Sequence, residues 1–219
     1  MRLKKAALLI LLVLIVDQIL KIYIKTNFKL QDSIEIFSWF ELLFVENDGM
    51  AWGAKLSDFF PFISDRAAKL ILTLFRILAV TGIGYWLLKT IKSNGSRVLS
   101  ISLSLIFAGA LGNILDSVFY GVFFSDSYGQ IATFLPEEGG YDTIFHGKVV
   151  DMLHFPLWKG YLPEWIPGYG GEYFTFFEPV FNIADMAISS GVGILIFFNK
   201  RAFAQKKDKD FDELSESEL

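Results

Sequence analysis

Two short stretches of this chain pair an amide with a carboxylate at the same spacing: Asn113 with Asp116, and Asn182 with Asp185. Three residues apart on a helix, such a pair shares one face. Both stretches lie in or beside apolar runs, where an acid is costly unless it faces protein or water. Asp17 sits in a third such run. Two Asp side chains brought together in a poorly hydrated place cannot both ionise, so they share a proton. The ionised one can activate water, and the protonated one can polarise a carbonyl and later donate its proton. That chemistry hydrolyses an amide without a metal or a covalent nucleophile. Other routes lack their residues. The chain has no Cys, and its two histidines, His146 and His154, form no HExxH and read as ordinary loop residues. There is no Gly-x-Ser-x-Gly elbow, no evident Ser–Lys dyad and no phosphate-cradling glycine loop. No cofactor, metal or nucleic-acid partner is expected.

The elements that must carry these acids are set by hydropathy. Of 219 residues, 53% are hydrophobic and 23 are Phe, and the mean hydropathy is +0.44. Four apolar runs approach the roughly 20 residues needed to cross a bilayer: 6–24, 68–88, 98–119 and 180–198. The fold class is therefore an all-α membrane protein of four transmembrane helices, with a small β-rich subdomain outside the membrane. The first run has a basic start but no small-x-small cleavage site after it, so it reads as a retained helix. Lys and Arg cluster at the N-terminus, at Lys89, Lys92 and Arg97, and at Lys200 to Lys207. The positive-inside rule puts those segments, and both termini, in the cytoplasm. The connections near 25–67 and 120–179 then lie outside. Residues 1–200 form one membrane domain, and 201–219 a charged, disordered cytoplasmic tail.

Along the chain, Asp17 and Lys21 stack one turn apart and admit two readings: an internal ion pair, or an acid that faces neighbouring helices and braces a site. The residues from Ile34 to Val45 suggest short strands, with a tight turn at Asn47-Asp48-Gly49. Such a hairpin, with Trp39 and Trp52 at headgroup level, reads either as a simple turn or as a lip over a lipid-facing cleft. Arg76 reads as structural. Gly109, Ala110 and Gly112 are small enough for close helix approach. Residues 125–146 read as irregular or mobile, and 148–153 as extended, with Asp151 by itself a surface acid. Trp158, Tyr161, Trp165, Tyr169 and Tyr173 look interfacial. Two other functions fit intramembrane acids: a proton or ion path in a small transporter, or a scaffold with incidental polar residues.

Five ordered blocks carry a family resemblance: Asp17-Gln18-Ile19-Leu20-Lys21; Asn47-Asp48-Gly49-Met50-Ala51-Trp52; Gly109 through Asp116; Val149-Val150-Asp151; and Phe181-Asn182-Ile183-Ala184-Asp185. Together on a four-span frame they resemble lipoprotein signal peptidase, the bacterial type II signal peptidase. The resemblance implies an aspartic endopeptidase of the bacterial inner membrane, with Asp151 and Asp185 as the catalytic pair near the outer leaflet. It implies supporting or substrate-binding roles for Asp17, Asn47, Asn113, Asp116 and Asn182. The implied substrates are diacylglyceryl-modified prolipoproteins, cut just before the lipidated lipobox Cys, by a monomer in contact with membrane lipid. The chain departs from the family pattern at Ser117, where Arg is usual, and at Met152, where Phe is usual. The connections from Asp116 to Asp151 and from Asp151 to Asp185 are also longer than usual.

Overall fold

Apolar side chains on every face of a long helix mean that its surroundings are apolar. Three helices here meet that description: α1 (Leu3–Asn27), α2 (Asp65–Lys92) and the helical path Arg97–Phe123. In the computed structural model, which describes residues 1–48, 60 and 62–204, they are long and apolar enough to cross a membrane. The third path is α3 (Arg97–Leu115), a π-helical turn at Asp116–Tyr120 and one further turn, Gly121–Phe123. Leu78 is 71% exposed and Phe197 84%, as lipid-facing residues should be. The fourth run is shorter than expected. Val180–Phe181 form a strand, and the helix α4 (Ile183–Phe197) has 15 residues, followed by α5 (Asn199–Phe203). The expected tail beyond residue 204, and the Gly49–Trp52 part of the second block, lie outside the described residues.

The chain divides into two units. The helical unit comprises Met1–Gln18, Leu74–Ile114 and the residues from Ile183 onward. Its backbones approach closely, as the small residues predict. A Cβ on Gly109 would run into the Ala184 carbonyl, and one on Gly191 would sit 2.7 Å from the Ser102 carbonyl. Leu87, Leu99, Leu103 and Ala202 form one apolar cluster, and Val13, Ala108 and Ala187 another. The buried Ser104 hydroxyl turns back on its own helix, donating to the Ser100 carbonyl at 2.7 Å.

The sheet unit comprises Ile19–Thr73 and Leu115–Asn182. Its main sheet is antiparallel in the order β1 (Ser33–Phe37), β2 (Phe40–Asn47), β3 (Val149–His154), β6 (Val180–Phe181). A separate hairpin pairs β4 (Trp158–Tyr161) with β5 (Tyr173–Phe176). The first hairpin turns at Ser38-Trp39, where Phe37 pairs with Phe40, and β2 continues to Asn47; the turn expected at Asn47-Asp48-Gly49 runs beyond the described residues. Stacking of Phe37 on Trp39 at 5.3 Å stabilises that turn, and pairing of Asn47 with Val149 keeps Asn47 in the strand. All six residues of β3 are buried, so Asp151 is not a surface acid. Residues 124–148 are irregular; an isolated bridge Lys29↔Ile131 ties them to the chain after α1, and a second, Phe124↔Phe134, lies within the segment.

Candidate active site

Asp151 stands in the middle of β3, opposite Val45 of β2, and is 3% exposed. Both of its oxygens accept amide hydrogens. Asn182 Nδ2 donates to Oδ1 at 2.7 Å, and Asn47 Nδ2 donates to Oδ2 at 3.2 Å. A buried carboxyl without such partners would be strongly unfavourable. Asn182 also donates to the Val150 carbonyl at 3.3 Å. It can do so because β6, immediately before it, pairs Phe181 with Leu153. The shared helix face expected for Asn182 and Asp185 is therefore not formed. Asn182 precedes the helix, and its amide serves the strand acid.

Asp116 opens the π-turn. Its Oδ2 lies 2.8 Å from Lys21 Nζ, with both side chains fully buried, and accepts the Val150 N–H at 3.4 Å. It thus anchors the backbone one residue before Asp151. Lys21 finds this partner 95 positions along the chain (116 − 21), a contact the one-turn spacing to Asp17 does not show.

Next to Asn47 lies a second buried ionic group that the sequence reading did not single out. Glu46 pairs with Lys25, with Lys148 at 3.2 Å, and accepts from Ser127 Oγ at 2.9 Å. Burial pushes the Glu46 carboxyl up, but Lys25, Lys148 and Ser127 outweigh it and hold it below the usual range. Burial depresses the Lys148 ammonium, and Glu46 more than offsets this, so it titrates above its ordinary value. Burial also drives the Tyr141 phenol upward; its oxygen accepts the Lys148 N–H at 2.6 Å. The only local signal was Lys25 one turn after Lys21 on α1. A further group at the end of β3 joins His154 Nδ1 to Glu41 at 2.5 Å and Lys159 to Glu41 at 3.4 Å. Burial raises Glu41, and His154 and Lys159 more than reverse it. His154 is thus a strand residue rather than a loop histidine.

A cavity of about 630 Å³ opens beside Asp151. Val45 through Asp48 line it, with Phe174, Thr175 and the run Phe177 to Val180. Such a volume suits a small ligand or a few peptide side chains.

In the helical unit, Asp185 lies in the first turn of α4 and is half-buried. Asn113 Nδ2 donates to its Oδ1 at 2.8 Å. Asp17 is fully buried, and its Oδ1 accepts the Ala184 N–H at 2.9 Å. That N–H is one of the donors left unpaired at a helix N-terminus, and a carboxylate there also meets the positive end of the helix dipole. Gln18 Nε2 bridges Asp17 Oδ2 at 3.1 Å and the Gly112 carbonyl at 3.3 Å. Asp17 therefore holds the head of α4 through the Ala184 N–H. Among the described residues, no group of three or more His, Asp or Glu is arranged to hold a metal ion.

Helices long and apolar enough to cross a membrane, together with an antiparallel sheet unit and buried acids held by amides, place the chain in the class of membrane proteins with a polar site. Solved structures share this fold. Two solved structures, both described as bacterial membrane enzymes obtained by the in meso method, are similar to this chain. One has a TM-score of 0.57 at 24% identity, covering 89% of this chain and 92% of its own. The other has a TM-score of 0.54 at 23% identity, covering 93% of each chain. The model of the signal peptidase (SPase) II family matches residues 9–200. A lipoprotein signal peptidase of Porphyromonas gingivalis is 49% identical over 194 residues, covering 88% of this chain and 81% of the relative. One of Amoebophilus asiaticus is 37% identical over 216 residues, covering 95% and 84%. The chain belongs to the signal peptidase II family, and is a bacterial membrane peptidase of lipoprotein processing.

Proposed function

We propose that the protein removes signal peptides from prolipoproteins whose lipobox Cys bears a diacylglyceryl group, cutting the peptide bond just before that Cys. Asp151 and Asp185 are the catalytic pair and share one proton. The ionised carboxylate takes a proton from water as its oxygen attacks the scissile carbonyl. The protonated partner donates a hydrogen bond to the carbonyl oxygen as negative charge grows there. On collapse, the C–N bond breaks and the departing amine of the Cys receives the proton held by the pair. Asn47 and Asn182 hold Asp151 in place, Asn113 holds Asp185, Asp17 fixes the helix that carries Asp185, and Asp116 fixes the strand that carries Asp151.

The observation that carries this reading is Asp151 itself: a buried acid, both oxygens held by amides, beside a cavity large enough for substrate. Four spans, with α4 extended by α5 as the fourth, would put both termini in the cytoplasm and the acids near the outer leaflet. Residues 1–200 then work as one catalytic domain, a monomer surrounded by lipid. The test is cleavage of a diacylglyceryl lipobox peptide by protein in lipid nanodiscs. Wild type should release a Cys-terminal lipopeptide, seen by mass spectrometry, and should leave the non-lipidated peptide intact. Cleavage elsewhere, or with equal efficiency without the lipid, would contradict the proposal.

A further inference from the structure

The connection between β3 and β6 returns to the strand that carries Asp151 as Phe174-Thr175-Phe176-Phe177-Glu178-Pro179, and several of these residues wall the cavity that Asn47 and Asp151 also line. Phe177 is unusual within it. Its φ is +72°, in the left-handed region that bulky side chains rarely adopt. Strain of this kind persists only where the surroundings enforce it, and it gathers at functional sites. Here the enforcement is visible. The Phe177 ring meets Phe181 edge-on at 6.3 Å, Phe181 stacks on Phe155 at 5.5 Å, and Phe155 stacks on Phe40 at 4.8 Å. Despite these contacts Phe177 stays 44% exposed. A residue selected for core packing would not combine a strained backbone with so much open surface.

We propose that Phe177, with Phe174, is a substrate-positioning residue that holds the peptide flanking the scissile bond. This rests on the catalytic reading of Asp151. The occupant is peptide rather than acyl chain because the lining is mixed. Phe174, Phe177 and Pro179 are apolar, whereas Asn47, Asp151 and Glu178 supply acceptors. Among the described residues Glu178 has no ion pair, whereas the neighbouring Asp48 is matched by Lys69 at 3.0 Å. An extended peptide presents a side chain to the rings and N–H donors to the acceptors. A hydrocarbon chain has no donor to offer.

The test compares Phe177→Gly and Phe174→Ala with wild type in nanodiscs, measuring Tm together with KM and kcat on the diacylglyceryl lipobox peptide. Glycine relieves the left-handed backbone while deleting the ring. Tm should therefore hold or rise, while KM rises about tenfold or more and kcat changes little. Phe174→Ala should raise KM in the same direction. The KM penalty should disappear when the substrate residue beside the scissile bond is Gly, and should be unchanged when the acyl chains are shortened. Trp165→Ala, on the same connection but away from the cavity, should leave KM unaltered. An unchanged KM in Phe177→Gly, a KM rise accompanied by falling Tm, or a penalty that follows acyl length would each overturn the proposal. Asp151→Asn is assayed in parallel: if it is inactive while Phe177→Gly binds normally, only the positioning role fails.

Discussion

The two acids proposed as the catalytic pair are held in unlike ways. Asp151 is carried by a strand buried on both faces, and its oxygens are pinned by amides from two other strand ends. Around it the sheet unit is stabilised by buried charge: Lys21 with Asp116, and Lys25 and Lys148 with Glu46. Asp185 is carried by the first turn of a helix, half-buried, with Asn113 on one oxygen. Around it the helical unit is stabilised by glycine-mediated backbone contact and by Asp17 at the helix head. The difference follows from what each kind of element must satisfy. Helices in lipid satisfy their own backbone and associate through small residues and van der Waals contact. A sheet has long-range pairings to organise, and buried ion pairs such as Lys21 with Asp116 tie together segments far apart in the chain.

The comparison breaks if the two acids prove unequal in catalysis. Asp151→Asn and Asp185→Asn should each lower kcat by at least about 10³-fold with near-normal folding; substantial turnover by either purified variant would remove it from the pair. It sharpens if the two units fail differently. Lys21→Met leaves Asp116 charged and buried, and should cost the protein about 3–5 kcal/mol by denaturant unfolding. Adding Asp116→Leu should restore most of that stability while leaving activity low, because the Val150 anchor is still lost. Asn182→Ala strips one acceptor bond from Asp151 and should lower kcat by roughly 10- to 100-fold. Gly109→Ala forces α3 from α4 and should cost about 1–3 kcal/mol, read as a lower Tm. The smallest effect is in pH. Glu46 titrates below its unfolded value of about 4.3, so its stabilising contribution is complete above that value and is lost as pH falls through the folded one. Glu46→Gln should flatten the acid limb of a Tm-against-pH curve; an unaltered limb would mean that Glu46 does not couple to folding.

Much of this was legible locally. Three spans, the extended segment around Asp151 and the close approach at Gly109 follow from hydropathy, alternation and residue size. Two readings went astray for one reason. Asn182 and Asp185 have helical spacing, but β6 captures Val180 and Phe181 first. Asp151 amid apolar residues resembles a half-exposed strand, because alternation cannot show that both faces are covered.

The amino-acid order alone settled which segments enter lipid and which residue types were available for chemistry, since transfer into hydrocarbon sums over neighbours in the chain. Only the tertiary structure decided which amide serves which acid. Asn47 reaches Asp151 across 104 positions, and Asn182 reaches it across 31. Those bonds exist because β2, β3 and β6 pair in one register, a cooperative outcome of distant contacts that no local spacing encodes.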